Sequence, residues 1–218
     1  MKKNYSNNSV KHIIFDLGGV IVDIDFNRAI NAFIELGAED FDAFFNHASQ
    51  VNLFDRMDRG EVSPKEFRDE LRSITGLSVS DEQIDKAWNA IIIGLPERRL
   101  HLLKESGKNY KTYLLSNTNA IHMKTFTEML KEEFGSKGIE TYFDQSYLSF
   151  EIGMRKPEER IFKHVIKSNN LDVSETLFID DSPQHIEAAA ALDINTYLFR
   201  PDEEQLEDLF EDGLLRNF

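Results

Sequence analysis

Short runs of β-branched and aromatic residues recur along the chain, and several end in small polar or acidic residues. Runs of this length and composition are typical of buried strands. Segments with a helical period lie between them. The predicted strands lie in HIIFDL (12–17), KTYLLSN (111–117), QSYLSF (145–150), ETLFIDDS (175–182) and NTYLFR (195–200), and the predicted helices in PERRLHLLKESG (96–107), PEERIFKHVIKSNN (157–170, beginning at its first proline) and PQHIEAAAALD (183–193). Strands that alternate with helices predict an α/β fold, a parallel sheet with helices on both faces.

Residues 26–95 break this alternation, because they contain no convincing strand. Their patterns are helical: FNRAINAFIELG, EDFDAFFNHASQ, SPKEFRDELRSITG and SDEQIDKAWNAIII. The last two begin with capping boxes, S-x-x-E from Ser63 and S-x-x-Q from Ser80, which are typical of helix starts. The acidic tail PDEEQLEDLFEDGLL is predicted to be a further amphipathic helix. The sequence therefore predicts a helical domain of residues 26–94, inserted after the first strand of an α/β core formed by residues 1–25 and 95–218.

The composition limits the partners of the chain, which has 218 residues, a formal net charge of -14 and no cysteine. An acidic surface repels phosphate backbones, so we expect no nucleic-acid partner. Without cysteine, a metal site must use oxygen or imidazole ligands, which favours magnesium. The start MKKNYSNNSV lacks the apolar run of a signal peptide, and no segment is apolar enough to span a membrane. We expect a cytoplasmic protein without a membrane partner, and a monomer or weak homodimer.

Three of the predicted strands end in reactive polar groups. Asp16 ends the first, Ser116 and Asn117 end the second, and the acidic pair 180–181 ends the third. Because the carboxyl ends of parallel strands share one edge of the sheet, these groups are expected to meet in one site. The N–H groups after Ser116 are expected to lie at a helix start, which binds phosphate well. A carboxylate nucleophile, a carboxylate-bound magnesium and the charge of Lys156 are suited to phosphoryl transfer.

Four motifs resemble those of the haloacid dehalogenase-like (HAD) superfamily in order and spacing. They are D-x-G-x-V at 16–20, S-N-T at 116–118, R-K-P at 155–157 and D-D at 180–181. The resemblance covers nearly the whole chain and implies the Rossmann-like HAD fold, with the helical insert as a type C1 cap. The strings FDLGGVIVDIDFNR, LSNTN and GMRKPE are most similar to the branch of bacterial α-D-glucose-1-phosphate phosphatases.

The resemblance implies a role for each motif residue. Asp16 is the nucleophile, which forms an aspartyl-phosphate, and Lys156 bridges the nucleophile and the phosphate. The substrate-binding residues that it implies are Ser116, Asn117, Leu17 and Lys156. The magnesium ligands that it implies are Asp16, Gly18 through its carbonyl, Asp181, and Asp180 directly or through water.

Gly18 departs from the pattern of most phosphatases of the superfamily, which have a second aspartate two residues after the nucleophile. That aspartate protonates the leaving oxygen and later activates water. Three explanations stay open. The acid and base can come from elsewhere, with Asp23, Asp25 and His122 as candidates. The leaving group can be a good one, as in a sugar 1-phosphate, or the enzyme can be slow.

Several residues of the predicted insert have alternative roles. Arg56, Asp58 and Arg59 lie in a predicted turn that reaches over the active site in C1-capped relatives. They either contact a sugar or form a solvated turn. Trp88 is expected to pack in the core of the insert, with stacking on a substrate as the alternative.

The function that these observations predict is magnesium-dependent hydrolysis of a small phosphate monoester, such as a hexose 1-phosphate. One alternative is a 2-haloacid dehalogenase, which would use the same aspartate on carbon and has no need of a magnesium site. The other is a module that binds a phosphorylated ligand without turning it over, which the glycine at position 18 favours.

Overall fold

The computed structural model describes residues 10–39, 41 and 51–216. The strands are β1 (His12–Phe15), β2 (Asp23–Ile24), β3 (Ile92–Gly94), β4 (Lys111–Ser116), β5 (Gln145–Leu148), β6 (Thr176–Asp180), β7 (Asn195–Leu198), β8 (Phe210–Glu211) and β9 (Leu214–Leu215). The helices are α1 (Phe26–Glu35), α2 (Val51–Asp58), α3 (Pro64–Thr75), α4 (Asp81–Asn89), α5 (Glu97–Ser106), α6 (Ala120–Phe134), α7 (Ser149–Ile152), α8 (Glu159–Ser168) and α9 (Pro183–Ala190). Among these, no helix is both long and apolar enough to cross a lipid bilayer.

The main sheet has five parallel strands in the order β5-β4-β1-β6-β7. Strand β1 is central because its apolar residues are buried on both faces. Ile13 and Phe15 pack into a cluster with residues of α5 and α6, whereas Ile14 packs on the other face with residues of α8 and α9. This two-sided burial is what a run such as HIIF dictates in a parallel sheet. The predicted α/β architecture is therefore confirmed.

The order in which successive strands are placed in the sheet reverses at β1. It proceeds from β1 to β4 and β5 on one side and then returns to β6 and β7 on the other. Such a switch point leaves a crevice at the carboxyl ends of the strands around it, here β4, β1 and β6. Asp16, Ser116 and Asp180 lie at those three ends.

Helices α1 to α4 form a hydrophobic cluster of their own. Its buried members include Phe33, Phe67, Leu71 and Trp88, and Ile121 of α6 joins it from the core. Both predicted capping boxes are present, at the starts of α3 and α4. This separate cluster supports the proposal that residues 26–94, hereafter the helical insert, form a domain beside a core of residues 1–25 and 95–218. The helix predicted from EDFDAFFNHASQ falls almost entirely outside the described residues.

The prediction that residues 26–95 contain no strand was wrong at β3. Ile92–Gly94 pairs antiparallel with Asp23–Ile24, so the two ends of the insert are joined by backbone hydrogen bonds. The pairing is invisible to local pattern because its partner lies about seventy residues away and has only two residues. The pair brings Ile24 and Ile92 to the edge of the crevice.

Two helix predictions at the carboxyl side need correction. Helix α8 begins at Glu159, not at Pro157, because the Lys156 backbone is held in a turn by Asn117. The tail forms a short 3₁₀ helix, Leu206–Leu209, and then the hairpin β8–β9. Asp212 and Gly213 both have positive φ, as the two-residue turn of a hairpin requires. The apolar residues expected to dock are buried: Leu206, Leu209 and Phe210.

Candidate active site

One cavity collects most of the predicted site residues. Its volume is about 490 Å³, which is within the usual range for small-molecule sites. The predicted residues that line it are Asp16, Leu17, Gly18, Ser116, Asn117, Lys156 and Asp181. Asp180 is fully buried behind this wall. The sheet edge therefore brings together groups that are up to 165 positions apart in the chain.

Lys156 is fully buried and lies between two carboxylates. Its Nζ is 2.7 Å from Oδ1 of Asp16 and 2.7 Å from Oδ2 of Asp180. Burial alone would lower the pKa of Lys156, but the two carboxylates outweigh it and hold the pKa above its ordinary value. The lysine is therefore a fixed positive charge beside the Asp16 carboxylate.

Asp180 is held by three donors. Besides Lys156, the backbone N–H of Ser182 donates to its Oδ1 at 2.8 Å, and His185 Nδ1 lies 2.9 and 3.0 Å from its two oxygens. Burial disfavours its charge, but Lys156 and His185 lower the pKa of Asp180 to about 2. An ionised carboxylate so fully engaged positions Lys156. Direct metal binding by Asp180 stays a prediction.

Asp16 and Asp181 carry the charge that Lys156 leaves uncompensated. Burial raises the pKa of Asp16 to about 7, opposed by Lys156 and reinforced by Asp180. Burial and the Asp180 charge also raise the pKa of Asp181. Both shifts have the same physical origin, an excess of negative charge in a dry site. A cation bound between these carboxylates would relieve that excess.

The oxygen donors at this place fit magnesium. Asp16, Asp180 and His185 each place a donor atom within 4.8 Å of the others. The imidazole faces Asp180, so carboxylate and carbonyl oxygens are the better donors for a hard cation. Asp181 is packed against the backbone at Gly19, where a Cβ would lie 2.2 Å from its Oδ2. Binding of the ion by Asp16, Asp181 and the Gly18 carbonyl stays a prediction.

Asn117 has a positioning role that the sequence does not reveal. Its Nδ2 donates to the Lys156 carbonyl at 2.8 Å, and its Oδ1 accepts from the Lys156 N–H at 2.8 Å. Both ends of the amide are thereby engaged by the backbone of Lys156. The Ser116 hydroxyl makes a contact of 3.4 Å with the Asn117 carbonyl, so it is weakly held.

The helix start expected at Ser116 lies further along the chain. Helix α6 begins at Ala120, and Asn119 caps it by accepting from the His122 N–H at 3.1 Å. The prediction was wrong because Asn119 is the better capping residue: its side chain reaches the free N–H groups of the first turn. Ser116 is instead the last residue of β4, paired in register with Leu148.

The two residues after the nucleophile are closely packed. The Leu17 side chain is buried in the core, and its carbonyl accepts from the N–H groups of Ile21 and Val22. Any contact of Leu17 with a phosphate must therefore use its N–H group. A Cβ at Gly18 would lie 3.1 Å from Cδ1 of Ile24. Ile24 thus occupies the space into which a side chain at position 18 would point.

Asp23 and Asp25, predicted as possible acid–base groups, do not line the cavity. Oδ1 of Asp23 accepts from Nη1 of the buried Arg99 at 2.7 Å. Oδ1 of Asp25 accepts from the Asn27 N–H at 2.9 Å and caps α1. Both carboxylates are therefore committed to structural contacts, which the spacing in VDIDF does not disclose.

His122 lines the cavity but is a poor proton carrier near neutral pH. Burial lowers its pKa to about 3, so the imidazole is neutral. Its Nδ1 lies 2.9 Å from Oδ1 of Asn89, and its ring stacks on Trp88 with centroids 4.9 Å apart. Trp88 belongs to the cluster of the insert, as predicted, and also forms part of the cavity wall.

The helical insert contributes a polar patch to the opposite wall. Of the three residues predicted in its turn, only Asp58 lines the cavity. Arg56 pairs with Glu70, and Arg59 Nη2 lies 2.5 Å from Oε1 of Glu158. Burial raises the pKa of Asp58 to about 6. Two further charged residues line this part of the cavity, Asp55 of the insert and Arg155 of the core, and the sequence analysis assigns a role to neither.

Much of the rest of the wall is apolar, although Thr118, Asn119, Ser182 and His185 also line the cavity. Residues of the β2–β3 pair, of the insert and of α6 provide the apolar part: Val22, Ile24, Phe26, Phe54, Trp88, Ile91, Ile92, Met123 and Phe126. Such a wall excludes water from the carboxylates at the sheet edge and strengthens the electrostatic interactions there.

Comparisons with known proteins agree with this geometry. The model of the haloacid dehalogenase-like hydrolases matches residues 10–193. A D-ribitol-5-phosphate phosphatase from Bacteroides thetaiotaomicron is 37% identical over 190 residues, which is 86% of this chain and 91% of that protein. A HAD family enzyme from the same organism, crystallised with magnesium and inorganic phosphate, has a TM-score of 0.81 at 37% identity and covers 93% of this chain and 100% of that one.

A more distant structure shares the fold alone. It is an L-2-haloacid dehalogenase from Xanthobacter autotrophicus, with a TM-score of 0.55 at 17% identity, and the match covers 86% of this chain and 76% of that one. The family model and the 37% identical relative both span most of the chain, and the residues that the family model matches include strands β1, β4, β5 and β6 of the main sheet. This chain belongs to the haloacid dehalogenase-like hydrolase family.

Proposed function

We propose that this protein is a magnesium-dependent phosphatase that hydrolyses a small phosphate monoester through an aspartyl-phosphate on Asp16. The observation that carries the proposal is the buried Lys156, whose Nζ lies 2.7 Å from Asp16 at the floor of the cavity. A cation fixed beside a carboxylate suits a nucleophile that must accept a phosphoryl group, since it offsets the charge brought by the substrate.

The proposed hydrolysis proceeds in two steps. In the first, a carboxylate oxygen of Asp16 attacks phosphorus and the alcohol leaves. In the second, water attacks the phosphorus and Asp16 is released. Lys156 holds Asp16 and the phosphoryl oxygens together, while the Ser116 hydroxyl and the N–H groups of Leu17 and Asn117 orient those oxygens.

Asp16, Asp181 and the Gly18 carbonyl would hold magnesium, which when bound would supply positive charge to offset that of the phosphoryl group. The similar enzyme crystallised with magnesium and inorganic phosphate supports the choice of magnesium as the ion. The fit is also electrostatic: the excess of negative charge that raises the pKa values of Asp16 and Asp181 is what a divalent cation compensates.

A sugar or sugar-alcohol phosphate is the substrate class we propose. The 37% identical relative is named a D-ribitol-5-phosphate phosphatase, and a cavity of about 490 Å³ accommodates an ester of that size. The hexose 1-phosphate expected from the motif strings stays a prediction. So do the cytoplasmic location and the monomeric or weakly dimeric state.

The two rival functions fit less well. A 2-haloacid dehalogenase has no use for the carboxylate excess at Asp16 and Asp181, and its likeness to this chain is one of fold alone. A module that only binds has no need of a buried lysine paired with a nucleophilic carboxylate, because such a pair costs desolvation energy.

A screen of phosphate esters tests the proposal. Phosphate release is measured from ribitol 5-phosphate, glucose 1-phosphate, glucose 6-phosphate and p-nitrophenyl phosphate, with magnesium and with EDTA. We expect release with magnesium, a loss of at least about 100-fold with EDTA, and a preference for one of the sugar esters. Chloride release from 2-chloropropionate that persists in EDTA would instead identify a dehalogenase, and no turnover of any ester would identify a binding module.

A further inference from the structure

The site lacks an acid next to the nucleophile, and the remaining predicted candidates do not supply one. Ile24 fills the space beside Gly18. Asp23 is paired with Arg99, Asp25 caps a helix, and His122 is neutral. An alkyl leaving group needs a proton as its bond to phosphorus breaks. If the protein is the phosphatase proposed above, another group on the cavity wall must deliver that proton.

Asp58 lies where such a group is needed. It is the last residue of α2 and lines the same cavity as Asp16 and Lys156, from the wall formed by the insert. Its side chain is only 19% exposed. Nδ2 of Asn119, three residues beyond the end of β4, lies 3.4 Å from its Oδ1. Asp58 is thereby linked to the loop that carries the predicted phosphate-binding residues.

The turn after α2 is fixed against the core beside Lys156. Arg59 pairs with Glu158 across the boundary at 2.5 Å. Gly60, with a φ of +67°, approaches so closely that a Cβ there would lie 2.2 Å from the Phe150 carbonyl oxygen. These contacts hold Asp58 in place over the cavity, which a proton donor requires.

We propose that Asp58 of the helical insert is the acid–base residue of this enzyme. In the first step an oxygen of Asp16 bonds to phosphorus, the bond to the leaving oxygen breaks, and that oxygen takes the proton of the Asp58 carboxyl. In the second step the Asp58 carboxylate takes a proton from water as the water oxygen bonds to phosphorus. The bond to Asp16 then breaks, and inorganic phosphate and the original carboxyl groups result.

Asp58 is better suited to this role than its neighbour Asp55. Asp55 forms an ion pair with Nη1 of Arg155 and also lies 3.8 Å from Arg59, so two cations engage its carboxylate. Asp58 faces the same groups from further away, with Arg155 Nη2 at 3.7 Å. Burial, with a smaller contribution from the Asp55 charge, raises the pKa of Asp58 to about 6, while Arg155 and Arg59 oppose the rise. A carboxyl with such a pKa is present in both protonation states near neutral pH.

The test compares esters with good and poor leaving groups in D58N. The value of kcat/KM reports the steps up to release of the alcohol. In D58N it should therefore fall only for esters whose leaving group needs a proton. We expect kcat/KM for ribitol 5-phosphate, or the best alkyl ester of the screen, to fall about 100-fold or more. The kcat/KM of D58N for p-nitrophenyl phosphate should change less than about tenfold. Its hydrolysis should show a rapid burst of nitrophenol followed by slow turnover, because the second step lacks its base.

The pH dependence provides a second readout. The acid must be protonated, so kcat/KM of the wild-type protein for an alkyl ester should decline as pH rises through the pKa of Asp58. In D58N that decline should disappear. A decline that persists unchanged in D58N contradicts the assignment.

D55N is the matched control, because it removes a carboxylate of the same helix that pairs with the same arginine. Its ratio of alkyl to aryl kcat/KM should change far less than that of D58N, because Asp55 makes only a smaller contribution to the environment of Asp58. The proposal is overturned if kcat/KM of D58N falls equally for both esters and no burst is seen. It is also overturned if D55N shows the same selective fall in kcat/KM for the alkyl ester. Should the wild-type protein hydrolyse neither ester with magnesium, the proposed function itself is wrong and the role of Asp58 falls with it.

Discussion

At the scale of single residues, the site is organised by a buried cation. Lys156 joins Asp16 to Asp180, and Asn117 fixes its backbone from both sides. The residue types and their order could be predicted from the sequence, because three of the four motifs stand at the end of a recognisable strand. The side-chain partners could not, since Asn117 and Lys156 are 39 positions apart and nothing local encodes their hydrogen bonds.

Asp58 marks the limit of prediction at this scale. From the sequence it is one acid in a charged turn beside Arg56 and Arg59, and all three are equivalent. Only the fold separates them, because Arg56 and Arg59 find ion-pair partners elsewhere and Asp58 faces the cavity. The pKa of Asp58, raised to about 6, likewise follows from its burial in the fold, which the residue type alone does not reveal.

Gly19 provides a prediction about the metal site. It has a φ of +78°, and a Cβ there would collide with the Asp181 carboxylate. In Gly19→Ala the end of the Asp181 side chain must move, so we expect the magnesium concentration for half-maximal activity to rise at least tenfold. The measurement is phosphate release as a function of magnesium concentration.

Gly76→Ala is the control for that change. Gly76 has a similar φ of +71° at the end of α3, but a Cβ there meets nothing within 4 Å. Both variants should lose about 1–2 kcal/mol of stability from the left-handed backbone. An unchanged magnesium requirement in Gly19→Ala would contradict the assignment of Asp181 as a ligand.

At the scale of elements, the sequence predicts what is local and periodic. The five strands of the main sheet and the capped helices α3 and α4 follow from apolar runs and capping boxes. The missed elements are short or depend on distant partners: the β2–β3 pair and the hairpin β8–β9. The dipeptide Asp212–Gly213 is a hairpin signal in the sequence, but the amphipathic pattern around it favours a helix.

We predict that the enzyme is active only if the turn between α2 and α3 is docked closely on the core, since this turn positions Asp58. In Gly60→Ala the new Cβ meets the Phe150 backbone, which cannot rotate away as a side chain would. The turn must therefore move off the core and take Asp58 with it. We expect kcat/KM for an alkyl phosphate to fall at least tenfold and the melting temperature to fall, as measured by steady-state kinetics and circular dichroism.

Gly135→Ala separates this displacement from backbone strain. Gly135 ends α6 with a φ of +64°, and a Cβ there has nothing within 4 Å. It should lower the melting temperature with little change in kcat/KM. If Gly60→Ala leaves kcat/KM as high as Gly135→Ala does, close docking of this turn is not needed for activity.

At the scale of the whole molecule, two hydrophobic bodies meet around the cavity. The core presents Asp16, Lys156 and Asp181 at the sheet edge, and the insert covers them with an apolar wall and the carboxyl of Asp58. In the proposed function, the core would carry the phosphoryl chemistry and the insert would contact the leaving group. We therefore expect substitutions in the insert to change the preferred substrate without disturbing the nucleophile.

The central claim is that phosphate is transferred to Asp16 in a magnesium-dependent step. The most direct measurement is to mix the protein with its best ester and magnesium, quench in acid within one turnover, and locate the added mass by peptide mass spectrometry. The account predicts one phosphoryl group on the peptide that contains Asp16, which is absent with EDTA and absent in Asp16→Asn, a variant that also releases no phosphate. A phosphoryl group on another residue, or phosphate release by Asp16→Asn at the wild-type rate, would contradict it.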